Sequence, residues 1–339
     1  MWTTALLFSM LACRAATSLV LPNTPTPPAP PPSSTPLPPP TPTVTAAIAV
    51  EASEESFCPV LLSDIMNAST AVGETEEADE ERYLVTYKVI GNEIRDPAYE
   101  TVPANFKDEQ EDKVTQKEIW DYFTALIPAE EREFVAEYSV ITDGQDNLLS
   151  AVIQTYDDPS LWALEVDIAD SNDYYNLIFT LIHEFGHLLT LNANQVPPST
   201  DVFNNPDDNM LYRQEVSLCP NYFPGEGCST PDSYINAFHQ RFWTNLFDEW
   251  SVIDQTEDEV NYYEQLEEFY SQYQDQFVSE YATTSPAEDI AESWSHFVLA
   301  PRPQGATIAE QKILFFYEYP ELVELREEIL NRLCAAFPQ

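Results

Sequence analysis

Basic residues are scarce in this chain. Lysine and arginine together number 14 against 58 aspartates and glutamates, a formal charge of −44 over 339 residues. Such a field repels phosphates, which argues against nucleic acid as a partner and disfavours anionic membrane surfaces. Its simplest reading is a solvated acidic surface. Long apolar runs are also missing: past the leader no stretch is long enough for a transmembrane helix. There is no internal repeat. The five cysteines nowhere show the paired spacing of a thiolate zinc site. Rarest among the chemically versatile side chains is histidine, with four copies.

What is present divides the chain into three parts. Residues 1–20, "MWTTALLFSMLACRAATSLV", carry a short apolar core followed by small residues, the pattern of a secretory signal. "SMLAC" up to Cys13 also resembles the cleavage box of bacterial lipoproteins, in which that cysteine would be lipidated. Residues 21–52 begin "LPNTPTPPAPPPSSTPLPPP"; proline fixes φ and lacks an amide donor, so an extended, solvated linker is expected. Residues 53–339 are expected to form the folded domain. Once Cys13 leaves with the leader, Cys58, Cys219, Cys228 and Cys334 remain, an even count that suits disulfides in an exported protein. Cys219 with Cys228 would close a small loop, and Cys58 with Cys334 would tie the ends together. Secretion or attachment to the cell surface follows as the expected localisation.

Within the folded part, 82–90, 136–142, 148–156 and 161–169 have strand composition, and 116–127 has helical spacing. A long apolar helix is expected over about 174–192, with Asp170, Ser171 and Asp173 as candidate caps. Residues 195–231 read as loop, and Thr230-Pro231-Asp232 as a helix start. Ile235, Phe238, Phe242, Leu246 and Trp250 lie on one face of the helix that follows. Tyr262, Leu266, Phe269, Tyr273 and Phe277 repeat the pattern, and helices over 307–318 and 320–334 close the chain. Mixed strands first and helices afterwards predict an α+β fold with a small mixed sheet and a mostly helical C-terminal half.

Two of the four histidines fall in "LIHEFGHLLTL", residues 181–191. On a helix, i and i+4 share a face one turn apart, so His183 and His187 can aim ring nitrogens at a single point. Zinc accepts such ligands at about 2.0–2.1 Å. Glu184 is rotated about 100° away and can reach a water on the open side of the metal instead. This is the HExxH pattern of zinc hydrolases, and Gly186 leaves room for close packing. A catalytic zinc needs a third protein ligand, and the residues after His187 offer none. The best candidate stretch is "YATTSPAEDIAESWSHF", residues 281–297. Ser285 caps a helix there, with Pro286 first and Glu288 third. Glu288 and Glu292 share a face across Ala291 and repel unless a cation lies nearby. One can ligate the metal while the other accepts a proton from a ligating histidine. His296 shares that face, and His239 sits among Phe238, Phe242 and Trp243; both read as packing residues.

"HEFGH" together with Tyr281, Glu288 and Glu292 resembles the zinc metallopeptidases of the gluzincin type. The spacing is most similar to the catalytic domain of anthrax lethal factor and related bacterial zinc metallopeptidases. The resemblance implies a zincin-like domain holding one catalytic zinc, with His183, His187 and Glu288 as ligands, Glu292 supporting the site and Tyr281 stabilising the transition state. It covers two short motifs, and the 101-residue interval from His187 to Glu288 is longer than that family suggests, which bears on specificity. The expected function is a secreted or surface-tethered zinc peptidase, an endopeptidase, acting on protein or peptide with Glu184 as general base. Two alternatives stand beside it: a non-catalytic stalked surface protein with a structural or vestigial metal site, and a zinc hydrolase of non-peptide amides.

Overall fold

The computed structural model describes residues 58–69, 82–144, 149–256 and 258–337. The expected signal (1–20) and proline-rich linker (21–52) lie outside the described residues. Five strands form one mixed sheet: β1 (Arg82–Ile90), β2 (Glu93–Tyr99), β3 (Val135–Thr142), β4 (Ser150–Gln154) and β5 (Trp162–Asp167). Their order is β2-β1-β3-β5-β4, with β3 and β5 parallel and every other pair antiparallel. The helices before and behind the sheet are α1 (Pro59–Ser69), α2 (Lys107–Glu111), α3 (Lys113–Leu126) and α4 (Tyr174–Leu191). Then come α5 (Thr200–Asn204), α6 (Asn209–Leu218), α7 (Tyr234–Phe238), α8 (Phe247–Asp254) and α9 (Glu259–Tyr273). The chain ends in α10 (Pro286–Leu299), α11 (Ile308–Phe316) and α12 (Pro320–Ala336). This is the expected α+β arrangement, a small mixed sheet followed by a helical C-terminal half. No helix among the described residues is long and apolar enough to cross a membrane.

The interior strand β5 is buried along its whole length, Glu165 and Asp167 as well as its apolar residues. β2 was not expected from the sequence. Its residues are almost all exposed and include Pro97, so it shows no alternation, and a proline is tolerated there because β2 is an edge strand. Helix α4 is capped by Asp173, whose Oδ1 accepts from the amides of Tyr175 (3.0 Å) and Asn176 (3.3 Å). Its whole central turn is buried, histidines included.

Four expectations need correction. The span 195–231 is not all loop: Ser199 and Asp208 cap the short helices α5 and α6, neither of which buries a residue, so no apolar stripe marks them in the sequence. The helix expected from Thr230 starts instead at Ser233, whose Oγ accepts from the Asn236 amide. It is also not one helix, because a π-turn over His239–Trp243 separates α7 from α8. Phe242 and Trp243 in that turn are both buried. Phe277 lies beyond the end of α9 yet is still buried.

Both expected disulfides are present. Cys58–Cys334 joins the residue before α1 to α12, and Cys219–Cys228 closes the loop after α6.

Candidate metal centre

Two helices build the site. α4 presents His183 and His187; α10 crosses it and presents Glu288 and Glu292. Close approach is set at Gly186, where a Cβ would lie 3.1 Å from Ala291 Cα and 3.0 Å from the Trp294 ring. α10 starts at Ser285, whose Oγ accepts from the Glu288 amide at 3.0 Å, with Pro286 in the first turn. The cap therefore fixes the residue that faces the histidines.

The three nearest polar atoms form a compact triangle. His183 Nε2 and His187 Nε2 are 3.1 Å apart, and Glu288 Oε2 lies 3.0 Å from the first and 3.2 Å from the second. Tetrahedral bonds of about 2.0–2.1 Å imply ligand-to-ligand edges of about 3.3–3.4 Å, so these atoms outline one face of a zinc polyhedron. The donor set, two imidazoles and a carboxylate, suits the same ion. On the far side of His183, Nδ1 lies 3.0 Å from Glu292 Oε1, and Ser279 Oγ donates to Glu292 Oε2 at 2.6 Å. Such a carboxylate fixes the ring's tautomer and turns Nε2 toward the triangle. Ser279 was not found from the sequence; it sits outside both motifs, and only the fold brings it to Glu292.

Charge follows this geometry. Burial opposes protonation of His183, but Glu288 and Glu292 outweigh it and raise its pKa well above the usual value. Burial likewise works against the Glu288 carboxylate, yet His187 and His183 hold it well below the usual range. Glu292 is lowered despite its burial, through His183 and Ser279. Glu184 differs: it is only 4 % exposed, and burial raises its pKa in spite of the imidazoles beside it. The Val152 amide of β4 near its carboxylate works weakly the other way. Thr155 N donates to Leu161 O and Asp167 N to Leu149 O, so odd-numbered residues of this strand pair with β5. Val152 therefore points outward, and the free edge of the sheet faces the site.

Tyr281 stands in a short turn before α10, its ring 5.8 Å from that of His183. Half the residue is exposed, but the Glu288 carboxylate and burial push its hydroxyl well above the usual pKa. His296 stays outside the triangle: Nδ1 donates to Glu292 O at 3.0 Å and the ring meets Phe179 edge-on. His239 is distant in role as well. It stacks on Tyr222 at 4.2 Å, and burial lowers its pKa to about 4.

Residues 239–312 match the model of one protein family. Its description is "Putative zinc-binding metallo-peptidase". The matched stretch runs through the π-turn and α10 to Lys312 in α11, so it includes Tyr281, Glu288 and Glu292 but not the His183–His187 motif. No curated protein and no solved structure matches the chain. Within the matched stretch lies a buried ion pair that the sequence did not announce. Asp289 Oδ2 meets Lys312 Nζ at 2.5 Å and accepts from Trp243 Nε1 at 2.8 Å, both charged side chains being fully buried. The ammonium also lies 3.9 Å from the centre of the Phe277 ring. This cluster locks α10 to α11 and to the π-turn one residue past Glu288. A second acidic trio, Asp143, Asp167 and Asp170, gathers at the ends of β3 and β5. There Asp167 accepts the amides of Asp143 and Ala169, both at 2.7 Å, a role in closing the strand ends.

Proposed function

We propose that this protein is an exported zinc-dependent endopeptidase of the gluzincin type, with a zincin-like domain and a site akin to that of the lethal factor catalytic domain. The observation that carries the reading is the triangle of His183 Nε2, His187 Nε2 and Glu288 Oε2, with Glu184 buried beside it. These three side chains would hold one zinc ion, and His183 would be steadied by Glu292 and Ser279. When bound, zinc lowers the pKa of a coordinated water and polarises a carbonyl.

The chain's own groups supply the rest. Glu184, with its raised pKa, takes a proton from the attacking water and delivers it to the leaving amine. Tyr281, its hydroxyl held protonated, donates a hydrogen bond to the carbonyl oxygen as negative charge develops there. An extended peptide lying along the free edge of β4 gains main-chain hydrogen bonds next to these groups, which favours peptides over other amides. Export rests on the leader and the proline-rich stretch, and the two disulfides agree with an oxidising compartment.

The test is chelator-reversible hydrolysis of casein by wild type and Glu184→Gln. Glu184→Gln should keep its zinc and lose turnover by at least ~100-fold. Undiminished hydrolysis by that variant refutes the mechanism. Zinc held with no cleavage by wild type favours a non-catalytic stalked protein instead.

A further inference from the structure

Ser279 donates to Glu292, but the same hydroxyl makes a second bond. Oγ gives its one proton to Glu292 Oε2 at 2.6 Å and accepts from the Ala282 amide at 3.1 Å. Ala282 is the middle residue of the three-residue turn Tyr281–Thr283. One oxygen therefore touches both the carboxylate that supports His183 and the turn that carries Tyr281.

Turns of this length are weak by themselves. This one is closed by two backbone bonds, Thr283 N to Glu280 O at 2.9 Å and Thr284 N to Tyr281 O at 3.0 Å. The rest of its placement comes from outside. Ala282 and Thr283 are fully buried, and Trp250 Nε1 donates to Thr283 O at 3.0 Å. Tyr281 is turned outward and half exposed, its ring 5.8 Å from that of His183. The direction of the phenol thus depends on where the backbone of the turn sits.

Glu292 uses its two oxygens on two targets. Oε1 meets His183 Nδ1 at 3.0 Å, and Oε2 takes the Ser279 proton. A hydrogen bond to an ionised carboxylate is short and strong. Glu292 therefore fixes how Ser279 presents its lone pair to Ala282.

We propose that Ser279 is a positioning residue for Tyr281 as well as for Glu292, its hydroxyl coupling the phenol to the carboxylate behind His183. The proposal rests on the peptidase reading and deepens it. One side chain aligns both the group that steadies an imidazole ligand and the group that donates to the developing oxyanion. An ordinary turn cap would stabilise the fold and leave the chemistry untouched.

Two measurements test it, one of them independent of turnover. Casein hydrolysis is followed at saturating zinc, with metal content checked, for wild type, Ser279→Ala, Tyr281→Phe and the double variant. Ser279→Ala should lower kcat by about tenfold and leave KM within about twofold, as expected when a transition-state contact is misaligned. In the Tyr281→Phe background the same change should cost no more than about threefold, because the group it aligns is gone. An equal loss in both backgrounds would mean that Ser279 acts through Glu292 alone, and overturns the proposal. An unchanged kcat in Ser279→Ala overturns it as well. The second measurement is fluorine NMR of zinc-loaded protein labelled with fluorotyrosine, the Tyr281 signal being identified by its loss in Tyr281→Phe. Ser279→Ala should shift or broaden that signal while tyrosines remote from the turn keep their positions. A Tyr281 signal unmoved by Ser279→Ala overturns the proposal. Failure of wild type to cleave casein would count against the peptidase reading, and the NMR comparison would still decide whether Ser279 positions Tyr281.

Discussion

Gly186 lies directly against Ala291, with 3.1 Å between the position a Cβ would occupy and the Ala291 Cα. This contact lets α4 and α10 approach closely enough for two imidazoles and a carboxylate to share one point. Gly186→Val would force the helices apart. Overpacking of this kind costs about 1–3 kcal/mol, so thermal unfolding should show a lower Tm. Zinc affinity should fall with it, although no ligand has been changed. A variant that keeps full zinc affinity would show that the spacing of the helices does not set the site.

In the proposed site Glu292 would act through His183, and Ser279 through Glu292. Glu292→Ala should therefore weaken zinc binding by about 10–100-fold. Ser279→Ala should weaken it less, because only one hydrogen bond to Glu292 is lost. Competition against a chromogenic chelator checks both. Equal affinity in all three proteins would leave the carboxylate without its orienting role.

The Asp289–Lys312 pair offers a stability test separate from the metal. Lys312→Met strands a buried carboxylate and should cost about 3–5 kcal/mol in denaturant unfolding. Asp289→Leu combined with Lys312→Met removes both charges, and should recover much of that loss. If the double variant is as unstable as the single one, packing rather than uncompensated charge explains the penalty.

His239 gives a pH dependence with a defined sign. Burial lowers its pKa from 6.5 to about 4, so between these values the unfolded chain binds the proton more readily. Stability is complete above pH 6.5 and declines as pH falls toward 4, by as much as about 3 kcal/mol. His239→Phe keeps an aromatic ring against Tyr222 and should be less sensitive to acid over that window. Identical pH profiles for the two proteins would contradict the assignment.

The site was legible where its chemistry is periodic. His183 and His187 announce themselves by one helical turn, and Ser285-Pro286 by the chemistry of a helix start. The even count of cysteines suggested disulfides, but only the fold decides that Cys58 pairs with Cys334 and Cys219 with Cys228. Other features depend on long-range packing and leave no local trace. Ser279 reaches Glu292 only because the fold brings the two together. β2 and α6 bury almost nothing, so neither carries a hydrophobic period. The π-turn at His239–Trp243 hides inside a pattern that fits an unbroken helix.

The central claim is that one zinc ion is held by His183, His187 and Glu288. X-ray absorption at the zinc edge of the zinc-loaded protein tests it most directly. The account predicts one zinc per chain, with scattering from two imidazoles and a low-Z shell at about 2.0–2.1 Å, and loss of one oxygen neighbour or of the metal itself in Glu288→Ala. A zinc environment without imidazole scattering, or one unchanged in Glu288→Ala, would contradict it.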